Sequence, residues 1–200
     1  MCLLVLPKSP NSSKNKQRPG YAAIRGATLN VHSMRDGYKL ADLAINCRKF
    51  RQDFLMVQET WRNGPEDLKI QHKSLKNWRF IGSGFGKGCR GGVGVILSPS
   101  CTVLDSRAIL DGRILRVDIN LRGQHLAIFS VYSPDETYSE DTKLSFWNIL
   151  GKGLDSVGGN LKRFVGGDMN ATIVEPDRAC MDGVNHEFCH ERATETSART

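Results

Sequence analysis

Four apolar runs in this chain end in polar groups that a core-building sequence would have no use for. Asn30 closes the run ending in Leu29, Glu59 follows Phe54-Leu55-Met56-Val57-Gln58, Tyr132 closes Leu126 to Val131, and Asp168 with Asn170 follows Phe164-Val165 behind two glycines. Glutamate and aspartate oxygens are the hard ligands that Mg²⁺ prefers, and such sites combine one or two carboxylates with substrate phosphate and water. An asparagine amide donates to phosphate oxygens while its carbonyl side accepts from water, and a phenol is a further donor. Taken singly, each residue reads as a turn or cap. Together they point to a phosphate-and-metal site, because strand ends that share one rim are where open α/β sheets put ligands.

Two other motifs lead elsewhere. Gly86-Lys87-Gly88-Cys89-Arg90-Gly91 has GxGxxG spacing, but a dinucleotide loop follows a strand and opens a helix. Here it runs into Val93-Gly94-Val95-Ile96-Leu97, a strand pattern, and the seven glycines from Gly82 to Gly94 read as a flexible turn between two strands. His186-Glu187-Phe188-Cys189-His190 has the HExxH spacing of a zinc protease. A catalytic zinc needs a third protein ligand, and after His190 only Glu191 and Glu195 remain as carboxylates, with no His or Cys. Cys180 or Cys189 offers a structural zinc site instead; an amphipathic helix burying Phe188 and Cys189 is the plainer reading.

The elements that must position the first set alternate between strand and helix periods. Ile24 to Val31, Asp53 to Val57, Trp78 to Ile81, Val93 to Leu97, Thr102 to Leu104, Ile114 to Ile119, Leu126 to Tyr132 and Arg163 to Val165 read as strands. Tyr38 to Phe50 places Leu40, Leu43, Ala44, Cys47 and Phe50 on one helical face. Thr137 and Glu140 form a capping box that opens a second helix burying Leu144, Trp147, Leu150 and Leu154. Two α/β units thus flank a block of consecutive strands, which predicts a layered α/β or α+β sandwich with both sheet faces covered.

The 200 residues carry a formal net charge of +7, with 40% hydrophobic and 24% charged residues, the composition of a folded globular protein. No apolar run reaches the ~18 residues of a membrane helix. Six cysteines without a CxxC pair predict reduced thiols in a nuclear or cytoplasmic, not secreted, protein. Residues 1–21 read as a basic disordered leader, since the tract Pro7 to Gly20 is rich in Pro, Ser, Asn and Lys. Residues 62–122 carry eleven basic and five acidic residues, whereas 123–200 carry seven and twelve. A basic surface beside acidic groups suits a polyanion held next to metal-binding carboxylates, and Arg79 and Arg90 in the basic stretch are expected substrate contacts.

The order Leu29-Asn30-Val31, Val57-Gln58-Glu59-Thr60, Val131-Tyr132-Ser133-Pro134, Gly167-Asp168-Met169-Asn170, with 29 positions from Asn30 to Glu59, resembles the exonuclease–endonuclease–phosphatase superfamily. The likeness is greatest to the apurinic-type endonuclease domains of non-LTR (LINE-type) retrotransposons and their craniofacial development protein-like relatives. It covers about residues 24–190. The resemblance implies a four-layer α/β sandwich and Mg²⁺-dependent cleavage of a DNA phosphodiester, with Mn²⁺ as an alternative ion. It assigns Glu59 and Asn30 to the metal, and to Asp168 the attacking water. Asn170 would position that water and the scissile phosphate, and Tyr132 would donate to a phosphate oxygen.

Two departures stand out. Many apurinic-type enzymes carry Asp two residues after the first Asn, where this chain has His32, and no closing Ser-Asp-His block occurs in the sequence. Residues 22–200 therefore read as a C-terminally incomplete domain lacking its last strands and impaired in catalysis. A non-catalytic nucleic-acid-binding remnant and a phosphatase of the same superfamily are the alternatives. No protein partner is identifiable from the sequence.

Overall fold

Strand Phe54–Gln58 is buried along its whole length, so both of its faces must be covered. Phe54 and Met56 point one way, into a core shared with Val93, Val95, Val117, Ile119 and Phe164. Leu55 and Val57 point the other way, into a second core with Leu40, Ala44 and Cys47. The period-two alternation of one strand thereby defines two packed layers.

The computed structural model describes residues 2–5, 23–86, 91–159 and 161–171, and the elements below lie in the compact unit formed by residues 1–170. In chain order they are β1 (Cys2–Val5), β2 (Arg25–Asn30), α1 (Gly37–Lys49), β3 (Phe54–Gln58), β4 (Glu66–Lys69), β5 (Arg79–Ser83), β6 (Val93–Leu97), β7 (Cys101–Leu110), β8 (Ile114–Leu121), β9 (Gln124–Tyr132), α2 (Glu140–Asp155) and β10 (Lys162–Asp168). One sheet has the order β1-β2-β3-β6-β5-β4 and the other β10-β9-β8-β7. The sheets face each other across the first core, α1 covers the outer face of the first sheet, and α2 covers the second through Phe129, Val131, Phe146 and Leu150. The result is the expected four-layer α/β sandwich.

Among the described residues two strand pairs are parallel. β2 pairs with β3 and β9 pairs with β10, and a helix joins each pair, as a parallel connection requires. A β-helix-β unit brings the carboxyl ends of its two strands to one rim. Asn30 and Gln58 end level with each other in one sheet, and Tyr132 and Asp168 do so in the other. Behind that rim a buried polar relay links the sheets: Thr28 Oγ1 donates to Gln58 Oε1 (3.1 Å), Gln58 Nε2 to Ser130 Oγ (3.2 Å), and Ser130 Oγ to Val57 O (3.2 Å).

Several expectations are corrected. Cys2–Val5, placed by sequence in a disordered leader, pairs as a strand antiparallel to β2; the tract 6–22 lies outside the described residues, as do the 186–190 motif and most of the 86–91 motif. The cap of α2 is Ser139, whose hydroxyl accepts from Thr142 N at 3.3 Å. Thr137 instead bonds to the Asp135 side chain through its N–H and hydroxyl. The buried face of α2 is Phe146, Leu150 and Gly153, leaving Leu144 and Trp147 exposed; packing of Phe146 and Leu150 against Phe129 and Val131 sets a face rotated from the predicted one. On α1, Leu40, Ala44 and Cys47 are buried as expected, but Phe50 lies past the last turn and is exposed. β7 extends far beyond Thr102–Leu104 as an exposed edge strand with two register shifts. Polar β4 escaped the apolar pattern for the same reason: it is an edge strand, where charged residues discourage further pairing.

The two glycines before Asp168 have distinct spatial reasons. A Cβ on Gly166 would overlap the Met56 methyl, and one on Gly167 would overlap the Val131 carbonyl oxygen. Met56 ends in a flexible chain and can swing away, whereas the Val131 carbonyl belongs to the paired backbone of β9. Gly167→Ala is therefore expected to cost about 2–3 kcal/mol and Gly166→Ala about 1 kcal/mol or less, in line with core overpacking. Urea denaturation of the two variants checks the order; a larger loss for Gly166→Ala would contradict it.

Candidate active site

The rim is built from residues that leave their strands by unusual backbone. Glu59 adopts φ 54°, His32 φ 44° and Asn170 φ 43°, all left-handed conformations that non-glycine residues rarely take. Each is held by its surroundings, as such strain requires. Ser33 N donates to Glu59 O (2.7 Å) and Met34 N to Thr60 O (2.7 Å), so the loop after β2 is pinned to the loop after β3. Across the rim, Ser133 N donates to Asp168 O (2.9 Å) and Asn170 Nδ2 to Ser133 O (2.8 Å).

These turns aim the carboxylates at one amide. Asn30 Nδ2 donates to Glu59 Oε1 at 2.7 Å and to Asp168 Oδ2 at 2.8 Å. Its Oδ1 accepts from His32 N at 3.2 Å. The amide must face this way round, since a carbonyl oxygen against two carboxylates would be repulsive. Asp168 Oδ1 accepts from Asn170 N (3.1 Å), and Glu59 Oε2 lies 3.1 Å from His32 Nδ1, whose side chain is 75% exposed. Among the described residues no lysine or arginine forms an ion pair with Glu59 or Asp168.

Tyr132 stands on the same rim. Burial lifts its phenol above the ordinary tyrosine pKa, the Glu59 carboxylate adds to the rise, and the Arg113 guanidinium opposes it. Arg113 is a site residue that sequence reasoning missed. It precedes β8 opposite Tyr132, with its guanidinium 4.8 Å from the Tyr132 ring centroid, 5.1 Å from that of Tyr138 and 5.7 Å from that of Phe85. It donates to Ser133 O at 2.9 Å and to the Tyr138 hydroxyl at 2.9 Å. Only strand register could have revealed it, because nothing in Asp111-Gly112-Arg113 marks it locally.

All five residues expected at the rim, Asn30, Glu59, Tyr132, Asp168 and Asn170, are thus at one place. Asn30, expected beside the metal, has its amide nitrogen turned toward the two carboxylates. Arg79, an expected substrate contact, is not at the rim. It pairs with Leu97, which pairs with Phe54 at the far end of β3, and its guanidinium is engaged with Asp67. Arg90 lies outside the described residues.

No group of three or more His, Cys, Asp or Glu side chains is arranged to hold a metal among the described residues. The described rim therefore lacks an all-protein cage of the kind that holds zinc. Two converging carboxylates without a lysine or arginine partner do fit Mg²⁺, which takes one or two carboxylates and leaves the remaining positions to water and phosphate.

The fold is thus a four-layer sandwich with a carboxylate–amide rim at the ends of two parallel strand pairs. Residues 27–179 match the Endonuclease/Exonuclease/phosphatase family, and the chain belongs to it. Its fold is similar to the endonuclease domain of TRAS1, a telomere-specific non-LTR retrotransposon, at 18% identity over 72% of this chain and 59% of that one, with a TM-score of 0.53. It is similar to an AP endonuclease from Archaeoglobus fulgidus at 23% identity, over 74% and 58%, with a TM-score of 0.52. It is also similar to D. rerio TDP2 complexed with single strand DNA product, at 15% identity over 74% and 60%, with a TM-score of 0.52. The chain spans about three-fifths of the length of each. No curated protein matches it.

The raised phenol pKa makes a direct prediction. Tyr132 should remain protonated as pH rises past 10.0, its ordinary value, and the stability it contributes should be intact below that value and lost as pH climbs through the folded one. Ultraviolet titration of the wild type minus Tyr132→Phe isolates its phenol, and Glu59→Gln should move the transition back down. A difference spectrum indifferent to Glu59→Gln would detach the phenol from that carboxylate.

Proposed function

We propose that this chain is a divalent-metal-dependent phosphodiesterase that cuts DNA by adding water to a backbone phosphate, as an endonuclease domain of non-LTR retrotransposon type. The observation that carries this reading is the convergence of Glu59 and Asp168, from different sheets, on the single amide of Asn30 with no lysine or arginine paired to either among the described residues. DNA as substrate is supported by the formal charge of +7 and by the endonuclease likeness. The retrotransposon context rests on the TRAS1 likeness and on the order of the four sequence blocks.

Mg²⁺ or Mn²⁺, when bound, supplies the positive charge that polarises the phosphate and offsets the two carboxylates. Glu59, with Asp168 beside it, is the residue to hold that ion. Asp168 orients the attacking water and accepts its proton, as a positioned general base does. The water oxygen forms the new P–O bond while the ester P–O bond on the opposite side breaks and its electron pair leaves on the departing oxygen. Tyr132, kept neutral by its surroundings, donates its phenolic proton as a hydrogen bond to a non-bridging oxygen on which charge accumulates. Asn170 holds the Asp168 loop against Ser133 and presents its amide beside the phosphate.

Nicking of supercoiled plasmid tests the reading. The wild-type chain should nick in the presence of Mg²⁺, slowly for want of a Ser-Asp-His block, and stop on chelation, and Asp168→Ala should lower the rate further, toward the ~10²–10⁴ of a lost general base. Glu59→Ala should require more Mg²⁺ for the same thermal upshift while retaining the wild-type circular dichroism. Equal Mg²⁺ affinity would remove Glu59 from the metal, and plasmid binding without metal-dependent nicking would favour the non-catalytic reading.

A further inference from the structure

The pole of the domain farthest from the catalytic rim carries an unbalanced charge. Arg48, Lys49 and Arg51 stand at the carboxyl end of α1, and Lys69, Lys73 and Lys76 stand at the end of β4 and in the loop that follows. All six are exposed, and none forms an ion pair with a carboxylate among the described residues. The two acidic residues that flank these segments are already committed, Asp53 to Arg122 and Asp67 to Arg79.

The two basic segments form one surface. Arg48 Nη1 donates to Ser74 O at 2.8 Å, and Ile70, Leu75 and Trp78 share a core with Ala44 and Cys47 beneath it. The β4–β5 loop encloses an open hollow of about 610 Å³ lined by Lys69, His72, Lys73 and Lys76. Within the first segment, at the cap of α1, Phe50 is 56% exposed, with Lys49 Nζ 5.7 Å from its ring centroid. Cations at a helix carboxyl end complement the helix dipole, which accounts for Arg48 and Lys49. It does not account for three lysines on a different element or for a phenyl ring left in water.

Cations on two adjoining segments with an exposed ring among them are what a single strand of nucleic acid requires, phosphates for the cations and an unpaired base for the ring. We infer that this pole is a second nucleic-acid-binding surface, taking a single strand whose phosphates follow the two basic segments and one of whose bases stacks on Phe50. The surface is distinct from the cleavage rim, since β3 runs from Phe54 at this pole to Gln58, next to Glu59, at the other, ~13 Å of extended chain. A strand held here is retained and not presented to Asp168. The shared chemistry admits RNA or DNA.

The test is fluorescence anisotropy of short labelled single-stranded RNA and DNA with the whole chain in chelator, so that nothing is cut. Lys73→Glu/Lys76→Glu should weaken binding by about tenfold or more and flatten the log–log salt dependence by roughly 1.4, two phosphate contacts' worth. Phe50→Ala should weaken it about tenfold through lost stacking, with Phe50→Leu no better, and should leave binding of heparin, a polyanion without bases, unchanged. Plasmid nicking should persist in all three variants, so a failure here is separable from a failure at the rim. Oligonucleotide binding indifferent to the lysine reversals would overturn the inference. So would an equal loss of heparin binding in Phe50→Ala, or a preference for phosphatidylserine vesicles over either oligonucleotide.

Discussion

One amide nitrogen holds the working end of this domain together. Asn30 belongs to β2 in the first sheet, Glu59 follows β3 beside it, and Asp168 ends β10 in the second sheet. Oxygens sharing one nitrogen partner at these distances lie no more than about 5.5 Å apart, where two like charges repel by roughly 3 kcal/mol at an effective dielectric of about 20. Neither carboxylate has a lysine or arginine as counterweight among the described residues. The Asn30 amide, hydrogen-bonded to both, is what the protein itself sets against that repulsion, and a bound cation would relieve the rest.

The rest of the sandwich serves that convergence. Gly166 removes the side chain that would collide with Met56, so β10 can lie against the first sheet, and Gly167 removes one that would strike the backbone of β9. The Thr28–Gln58–Ser130 relay sets the two sheets in register one residue behind the rim. Its Gln58–Ser130 link is fully buried, and a buried relay tolerates displacement poorly because any lost partner leaves a polar group unsatisfied. The left-handed turns at Glu59, His32 and Asn170 then redirect chain that would otherwise continue as strand.

The domain is polar in the electrical sense as well. Carboxylates gather at the rim where the parallel strands end, and uncompensated cations gather at the pole where α1 ends and β4 turns into β5. Arg79 illustrates how little a residue's charge says about its use. Its sequence neighbourhood is basic, but register sets it far from Glu59 and opposite Asp67, where a charge-assisted pair takes up its guanidinium. Arg113 is the converse: an unremarked residue in a turn that register carries to the rim, where three aromatic rings and the Ser133 carbonyl orient it.

Much was legible in the sequence, for a physical reason. A strand buried on both faces must be apolar throughout, so Phe54–Gln58 and Val93–Leu97 announce themselves, and a polar residue ending such a run stands out against it. That contrast picked out Asn30, Glu59, Tyr132, Asp168 and Asn170; the order of strand and helix segments placed the layered α/β class, and the family resemblance implied the four layers. What stayed hidden depends on partners distant in the chain. The pairing of Cys2–Val5 with β2, the late start and rotated face of α2, the edge strands β4 and β7, the position of Arg113 and the removal of Arg79 from the rim all follow from register and packing. Local residue types specify whether a segment can be a strand and which of its residues can carry chemistry. Which groups meet is decided only when two β-helix-β units close face to face, because the hydrogen bond that joins Asn30 to Asp168 spans 138 positions of chain and exists nowhere in the sequence itself.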